Sequence, residues 1–327
     1  MKVIDQKVTE HYALYYADCV HMLRGLPENS IGLTVGSPPF PGMYVYSKSK
    51  YDMGNVKSIR EMIKQYRFAQ TELLRATIPG RNQFIHITQG VAQKGRDGFM
   101  GLRDFRGQII DMMTDVGWNY YGEFVTDKDP QLKAVRTKDH GLMFKSLVND
   151  SAKMHCALAD IVLQFQKPGE NPEPIKAGGS SRKYTDADGW VTPEEWILWA
   201  RPVWYARDYQ PGTWRPDYLG DECPGGIRET ETLNVSQARD TNDERHLCPL
   251  QLGVIERLIL VYSNPGDVVC DKFTGVGSTG VKAIQLGRKF VGSELKGSYY
   301  RQAIRNLDNA VSERGALTLF DFQEAAA

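Results

Sequence analysis

Asp267-Val268-Val269-Cys270 runs without a break into Asp271-Lys272-Phe273-Thr274-Gly275-Val276-Gly277-Ser278-Thr279-Gly280, and the reading of this stretch decides the fold. The apolar run predicts a strand, Val281 to Leu286 a helix, and Lys289-Phe290-Val291-Gly292-Ser293 a second strand that ends at Glu294. Strand, glycine turn, helix and strand make a βαβ unit with a parallel pair. Gly275 and Gly277 let the backbone approach a ligand closely where the strand turns into the helix. Glu294 follows about 20 residues later, at the end of the second strand, where an acid accepts hydrogen bonds from ribose hydroxyls. Gly280 falls too late to be the third glycine of a dinucleotide fingerprint. The expected ligand is therefore an adenosine-containing cofactor, S-adenosylmethionine ahead of a nicotinamide dinucleotide.

Upstream of this unit, Leu250, Val254, Ile255, Leu258 and Ile259 form one face of a helix stopped at Asn264-Pro265-Gly266; downstream, Tyr299 to Leu307 is helical. At the other end of the chain, Tyr12 to Tyr16 reads as a strand followed by Asp18, Val20 to Leu26 as a short helix, and Ile31 to Val35 as a strand that runs into Ser37-Pro38-Pro39-Phe40. Two prolines lack the N–H groups that a ladder needs, so this strand must end in a rigid turn, with a hydroxyl before it and a flat ring after it. By themselves these four residues fit a plain turn as well as a site. If the sheet is doubly wound, the Tyr12–Tyr16 strand lies beside the Glu294 strand and carries the next cofactor contact, Asp18 meeting an adenine amino group. The sheet is then circularly permuted, which nearby termini make easy.

Between these ends, the spacing predicts a helix over Ser58 to Ala76 stopped by Pro79-Gly80, a strand at Phe84 to Ile87, a helix over Leu102 to Val116, and strands at Tyr120 to Val125 and Ala159 to Phe165. Gly42 to Asn55 has no period and carries Tyr44, Tyr46 and Tyr51; it reads as a loop over the site. From Gly169 to about Arg245 the periodicity fails. That segment holds five of the six tryptophans (190, 196, 199, 204 and 214), too many for a disordered linker, and reads as an irregular insert with a small aromatic core.

Composition bounds the partners. The formal net charge is zero, with 40 basic and 40 acidic residues, so a nucleic-acid surface has to come from local segregation of charge. Residues 41–167 carry 19 Lys and Arg against 13 Asp and Glu, whereas residues 170–245 carry 9 against 15. Five scattered cysteines, none in a C-x-x-C pair, argue against a zinc cluster or disulfide framework and fit a reducing compartment. The N-terminal residues show no apolar signal segment, and no apolar run is long enough to span a membrane. The expectation is a soluble cytoplasmic protein.

Read together, S-P-P-F early, an irregular insert, and F-x-G-x-G late resemble the permuted (β-class) amino-methyltransferases of DNA. The likeness to their phage- and prophage-borne branch rests on Tyr44-Val45-Tyr46-Ser47, Asp52-Met53-Gly54-Asn55, Gly101-Leu102-Arg103-Asp104-Phe105-Arg106-Gly107 and Asp243-Glu244-Arg245-His246-Leu247-Cys248-Pro249-Leu250-Gln251. The resemblance covers Tyr12 to Leu307 and departs at Lys272, where the class often has proline, and at Leu250-Gln251, where it often has Lys-Pro. It implies an α/β, Rossmann-like, doubly wound and mostly parallel seven-stranded sheet, permuted, with an inserted target-recognition region. The implied divisions are 1–168 (catalytic half), 169–245 (recognition insert), 246–310 (cofactor half) and 311–327 (tail).

The activity implied is methyl transfer from S-adenosylmethionine to the exocyclic amino group of a flipped base in duplex DNA. Ser37, Pro38, Pro39 and Phe40 are the implied catalytic residues. Asp18, His246, Asp271, Phe273, Gly275, Gly277, Thr279 and Glu294 are the implied cofactor residues. Tyr44, Tyr46, Arg96, Arg103, Arg106, Lys133, Arg136 and Lys138 are expected on DNA, and no metal is expected. Serine in the first motif position goes mainly with cytosine N4 in related enzymes, which favours that base; adenine N6 is the alternative. A methyltransferase of RNA or of a protein amide and an inactive DNA-binding module are the remaining readings. Expected partners are double-stranded DNA, a cognate restriction endonuclease, and the replication sliding clamp through Leu317-Thr318-Leu319-Phe320, in a bacterial or phage-infected cell.

Overall fold

In the computed structural model, which describes residues 3–40, 49, 51–56, 58–92, 94–128, 130, 140–181, 183–205, 226–233 and 250–324, the Val268–Asp271 strand lies inside a nine-stranded sheet. In chain order the strands are β1 (Asp5–Val8), β2 (Tyr12–Tyr16), β3 (Ile31–Gly36), β4 (Thr77–Thr88), β5 (Gly90–Ala92), β6 (Gly101–Arg103), β7 (Asn119–Thr126), β8 (Asp160–Gln166), β9 (Val203–Trp204), β10 (Val268–Asp271) and β11 (Lys289–Glu294). The helices are α1 (Cys19–Arg24), α2 (Ile59–Ala76), α3 (Lys94–Asp97), α4 (Arg106–Val116), α5 (Phe144–Asn149), α6 (Pro193–Trp199), α7 (Leu252–Tyr262), α8 (Ser278–Gln285) and α9 (Gly297–Glu324). The main sheet runs β1-β2-β11-β10-β3-β4-β8-β7-β9, and β5 pairs with β6 in a separate hairpin.

The strands β2, β11, β10, β3 and β4 are mutually parallel, and β8 is antiparallel to both its neighbours. The expected adjacency is present: β2 pairs with β11 in register Phe290↔Tyr12 to Glu294↔Tyr16. The expected seven strands are β2-β11-β10-β3-β4-β8-β7; the structure adds one at each edge. β1 was missed because Asp5-Gln6-Lys7-Val8 has no apolar face; it joins through backbone pairing with β2 and the Lys7–Asp308 ion pair at 2.7 Å. β9 is two residues long and comes from the insert, pairing parallel to β7. Chain order reverses at the β10–β3 boundary: on one side the sheet continues through β11 and β2, on the other through β3 and β4. Such switch points open a crevice at the carboxyl ends of the strands.

Two apolar layers hold the sheet. One face packs Leu33, Val35, Phe84 and Val269 against Val254, Leu258, Ile284, Ala303 and Leu307 of α7, α8 and α9. The other packs Ile85, Ile87, Cys270 and Val291 against Met22, Met62, Tyr66, Leu73, Ile109 and Met113 of α1, α2 and α4. In α2 the buried residues Ile59, Met62, Tyr66, Ala69, Leu73 and Ala76 recur at helical spacing behind the Ser58 N-cap, whose side chain accepts the Glu61 N–H. Gly280 is needed for packing: a Cβ there would stand 2.6 Å from Leu307 Cδ2 and 2.7 Å from Phe290 Cδ1.

Local expectations change in four places. Pro79-Gly80 does not stop α2. The helix ends at Ala76 and β4 begins at once, carrying Pro79-Gly80 through a shift in its register with β3, where the missing proline donor costs no ladder bond. Leu102 lies in β6 and not in a helix; α4 starts at Arg106, where Gln89 Oε1 accepts the Phe105 and Arg106 N–H groups at 2.9 and 3.2 Å. The chain from 311 does not leave α9, which continues to Glu324. The insert has no aromatic core of its own among the described residues. Trp204 stacks on Phe124 of β7 at 4.6 Å and, with Ile227, joins the main core, whereas Trp196 is 57 % exposed. A proline-rich segment draped along a sheet edge buries its rings on the sheet. Trp214, Leu317 and Phe320 fall outside what is described, the last two in their side chains. No described helix is long and apolar enough to cross a membrane.

Candidate active site

The carboxyl ends of β10, β11 and β3 meet around one pocket, lined by Asp18, Cys19, Gly36 to Phe40, Tyr51 to Met53, Leu250, Asp271 to Val276, Ser278, Thr279, Ser293 to Lys296 and Tyr299. Of the residues expected on the cofactor, Asp18, Asp271, Phe273, Gly275, Thr279 and Glu294 line it together with all four of Ser37 to Phe40. Gly277 stands behind the lining, at φ 97°, and starts α8. His246 and Tyr44, Tyr46, Lys133, Arg136 and Lys138 lie outside the described residues, as does the Arg96 side chain on α3.

The loop after β10 is fastened by short hydrogen bonds. Asp271 Oδ1 accepts the Phe273 N–H at 2.9 Å, and the Asp271 carbonyl accepts Thr274 Oγ1 at 3.0 Å. Glu294 Oε2 accepts the Gly275 N–H at 2.8 Å; its Oε1 accepts the N–H groups of Leu295 and Lys296 at 2.9 and 2.8 Å. Gly275 has φ 58°, and a Cβ built on it meets no atom within 4 Å. It therefore presents bare backbone to open space. Burial pushes the Glu294 carboxyl up to about 7 against its three backbone donors, with Asp52 adding to the rise. Burial likewise pushes Asp271 up to about 6, opposed by the Phe273 N–H and by Lys272.

The turn after β3 meets this loop directly. A Cβ on Gly36 would stand 2.5 Å from Asp271 Oδ1, so glycine is required for the Asp271 carboxylate to sit on the backbone just before Ser37. Thr279 Oγ1 donates to the Val35 carbonyl at 3.4 Å, a second tie between α8 and β3. Phe40 packs on buried Phe105 with ring centroids 6.1 Å apart. Asp18 is the N-cap of α1, its Oδ1 accepting the Val20 and His21 N–H groups at 3.0 and 3.2 Å.

Three features escaped the sequence. Asp52, buried at the pocket, accepts the Gly54 N–H at 2.8 Å; its Asx turn was visible as Asp52-Met53-Gly54. Lys272 is 4 % exposed; its Nζ donates to Gln83 Oε1 at 3.3 Å and lies 5.3 Å from the Tyr66 ring centroid, and burial pushes its pKa down. The third is a charge cluster at the strand ends beside the pocket. Asp160 Oδ2 lies 3.3 Å from His86 Nε2 and 3.0 Å from Lys128 Nζ, and Lys128 reaches Glu229 Oε1 at 3.5 Å. His86 and Ser37 each stand one residue past the Gly36↔Ile85 pair, so the cluster adjoins the Ser37 turn across β3 and β4. Burial of Lys128 lowers its pKa, but the charges of Asp160 and Glu229 outweigh this and hold it above its usual value. No sequence spacing signals a cluster drawn from β4, β7, β8 and the insert. Arg106, expected on DNA, is engaged within the molecule: Nε donates to Glu123 Oε2 at 2.7 Å.

Comparison with known proteins follows the same outline. A family model described as DNA methylase matches residues 31–305. The DNA adenine methyltransferase YhdJ of Escherichia coli (strain K12) is 36% identical over 105 residues, which is 32% of this chain and 34% of that protein. The type II methyltransferase M.BglII of Bacillus subtilis is 24% identical over 309 residues, 92% of this chain and 70% of that one. Among solved structures, the PvuII DNA methyltransferase (cytosine-N4-specific) superposes with a TM-score of 0.59 at 16% identity, covering 96% of each chain. A DNA modification methylase of Thermus thermophilus, TTHA0409, complexed with S-adenosyl-L-methionine, gives 0.59 at 19% identity, covering 90% of this chain and 92% of that one. At these identities the structures speak for the fold.

Proposed function

The chain belongs to the N6/N4 DNA methylase family, matched over residues 31–305, and we infer that it transfers a methyl group from S-adenosylmethionine to the exocyclic amino group of a base in duplex DNA. The observation that carries this reading is the shared pocket in which the Ser37–Phe40 turn abuts the Asp271–Gly275 loop. The residues fit the cofactor: bare backbone at Gly275 borders open space, and the buried carboxyls of Glu294 and Asp271 are raised in the way that a site for a cationic and hydroxyl-bearing ligand would leave them. Glu294 and Asp271 hold the sugar and methionyl portions, Asp18 and Phe273 the adenine side, and Gly277 and Thr279 set the loop. S-adenosylmethionine supplies, when bound, an electrophilic methyl on a sulfonium.

An exocyclic amine is a poor nucleophile because its lone pair is delocalised into the ring. Ser37 Oγ and the Pro38 carbonyl accept the amino hydrogens and localise the pair; Pro38-Pro39 fixes the direction of that carbonyl, and Phe40 stacks on the base. A cysteine nucleophile has no part here, since burial raises the Cys19 thiol far above neutrality. We assign the cluster of His86, Lys128, Asp160 and Glu229 to the wall against which the base ring rests. Cytosine N4 is favoured because Ser37 is a neutral acceptor, as in the serine-bearing relatives; adenine N6 is the second reading, favoured by the likeness to YhdJ. The permuted order is supported by β3 preceding β10 in the chain while lying beside it in the sheet. Recognition of the DNA sequence falls to 169–245, and backbone contact to Arg96, Arg103, Lys133, Arg136 and Lys138.

The test offers labelled S-adenosylmethionine with duplex DNA, RNA and protein in parallel. Label in duplex DNA is expected; label confined to RNA or protein, or none, would overturn the reading.

A further inference from the structure

The β5–β6 hairpin carries an apolar tip that nothing in the pocket explains. β5 begins two residues past the end of β4, the strand beside β3, so the hairpin rises next to the Ser37 turn. Its base is rigid: Gly90↔Arg103, Val91↔Leu102 and Ala92↔Gly101 are paired, Ala92 is buried, and Phe105 just beyond packs on Phe40. Its tip is the opposite, with Phe99 51 % and Met100 62 % exposed side by side. Single exposed apolar residues need no explanation, but two adjacent ones at the end of a stiff hairpin do. The Phe99 ring is preset as well as exposed: at Gly101, with φ 153°, a Cβ would come 3.3 Å from Phe99 Cε2. The surrounding charge suits a polyanion. Residues 93–107 hold four basic and two acidic residues, and Asp104 is spent on accepting the Gly107 N–H at 2.8 Å.

We propose that Phe99 and Met100 form a wedge that enters the base stack of duplex DNA and fills the place vacated by the target base. The proposal rests on the DNA-methyltransferase reading: a base reached in this pocket must leave the helix, and apolar side chains inserted at a base step stabilise the unstacked duplex. Coupling of the hairpin to Phe40 through Phe105 links insertion to the residue that receives the base. A tip meant for a second copy of this chain is the competing occupant, and the polyanion-suited charge beside it speaks for DNA.

The experiment compares the wild type, Phe99→Ala/Met100→Ala, and the conservative Phe99→Trp/Met100→Leu, all full-length, on a duplex that the wild type methylates. The same duplex with an abasic position opposite the target is assayed in parallel. The alanine pair should lose about tenfold or more of its transfer rate on the paired duplex, with unchanged cofactor affinity, and regain it on the abasic duplex, where flipping is easy. The conservative pair should stay near wild type. Equal loss of rate on both duplexes, no loss on the paired one, or a wild-type dimer that the alanine pair dissociates in sedimentation would each overturn the wedge. A wild type that labels no DNA would instead overturn the activity from which the wedge follows.

Discussion

The two loops that meet in the pocket are rigid for different reasons. The loop after β10 is tied by hydrogen bonds to Glu294, Asp271 and Ser293, and its glycines keep side chains out of the way. The turn after β3 is stiffened by two proline rings and by packing of Phe40 on Phe105. Hydrogen-bonded backbone suits a ligand with many polar groups, because its N–H and carboxylate partners can be preplaced. A proline-stiffened turn instead keeps a hydroxyl and a carbonyl in fixed directions for a substrate. One loop is built to bind and the other to react, and Gly36 lets them touch.

The sharpest way to separate them is Ser37→Ala. Transfer to DNA should fall at least about 100-fold while cofactor affinity by titration calorimetry stays within about threefold. Loss of both together would mean that Ser37 only holds the turn. Gly275→Val should do the reverse. It forces a branched residue to φ 58° and fills the open space beside the loop, so cofactor affinity should drop about 10- to 100-fold, with the rate partly recovered at high cofactor concentration.

The raised carboxyls predict a pH dependence of opposite sign for binding and for folding. Cofactor binding by ionised Glu294 and Asp271 should be full above pH 7 and weaken as the pH falls through about 7 and then about 6. The stabilising contribution of the protonated, buried carboxyls is present below their usual carboxylate range and lost as the pH rises through those same values. The cofactor-free protein should thus melt lower at pH 8 than at pH 5.5, and Glu294→Gln should flatten the profile; a steeper profile in the variant would refute the assignment. The smallest effect is expected at Lys272→Met. Removing an amine buried under Tyr66 relieves desolvation, and the melting temperature should hold or rise by a few degrees. A fall of ten degrees would show that the Lys272–Gln83 contact at 3.3 Å supports the loop after all.

The same contrast explains what was legible in the sequence. The β10-to-β11 unit could be read because its glycines, helix and acid are contiguous, and β2 beside β11 followed from the order of parts. The Ser37 turn became readable only next to that unit. Register hid the rest. Pro79-Gly80 reads as a stop until the β3–β4 shift that accommodates it is seen, and Leu102 reads as helical until Gly98 and Gly101, both at positive φ, bend the chain into β6. The His86–Lys128–Asp160–Glu229 cluster joins residues that are local in no element, so no periodicity marks it. The tryptophans of the insert were legible as buried mass but not as belonging to the sheet, because a two-residue strand such as β9 leaves no pattern.

The central claim is that this pocket methylates an amino nitrogen, and nucleoside mass spectrometry of methylated DNA tests it most directly. DNA incubated with the wild type and S-adenosylmethionine should yield N4-methylcytosine, and DNA incubated with Ser37→Ala should yield none; N6-methyladenine would keep the amino-group claim and correct the base. A methyl group on a ring carbon, such as 5-methylcytosine, or methylated nucleoside undiminished in Ser37→Ala, would contradict it.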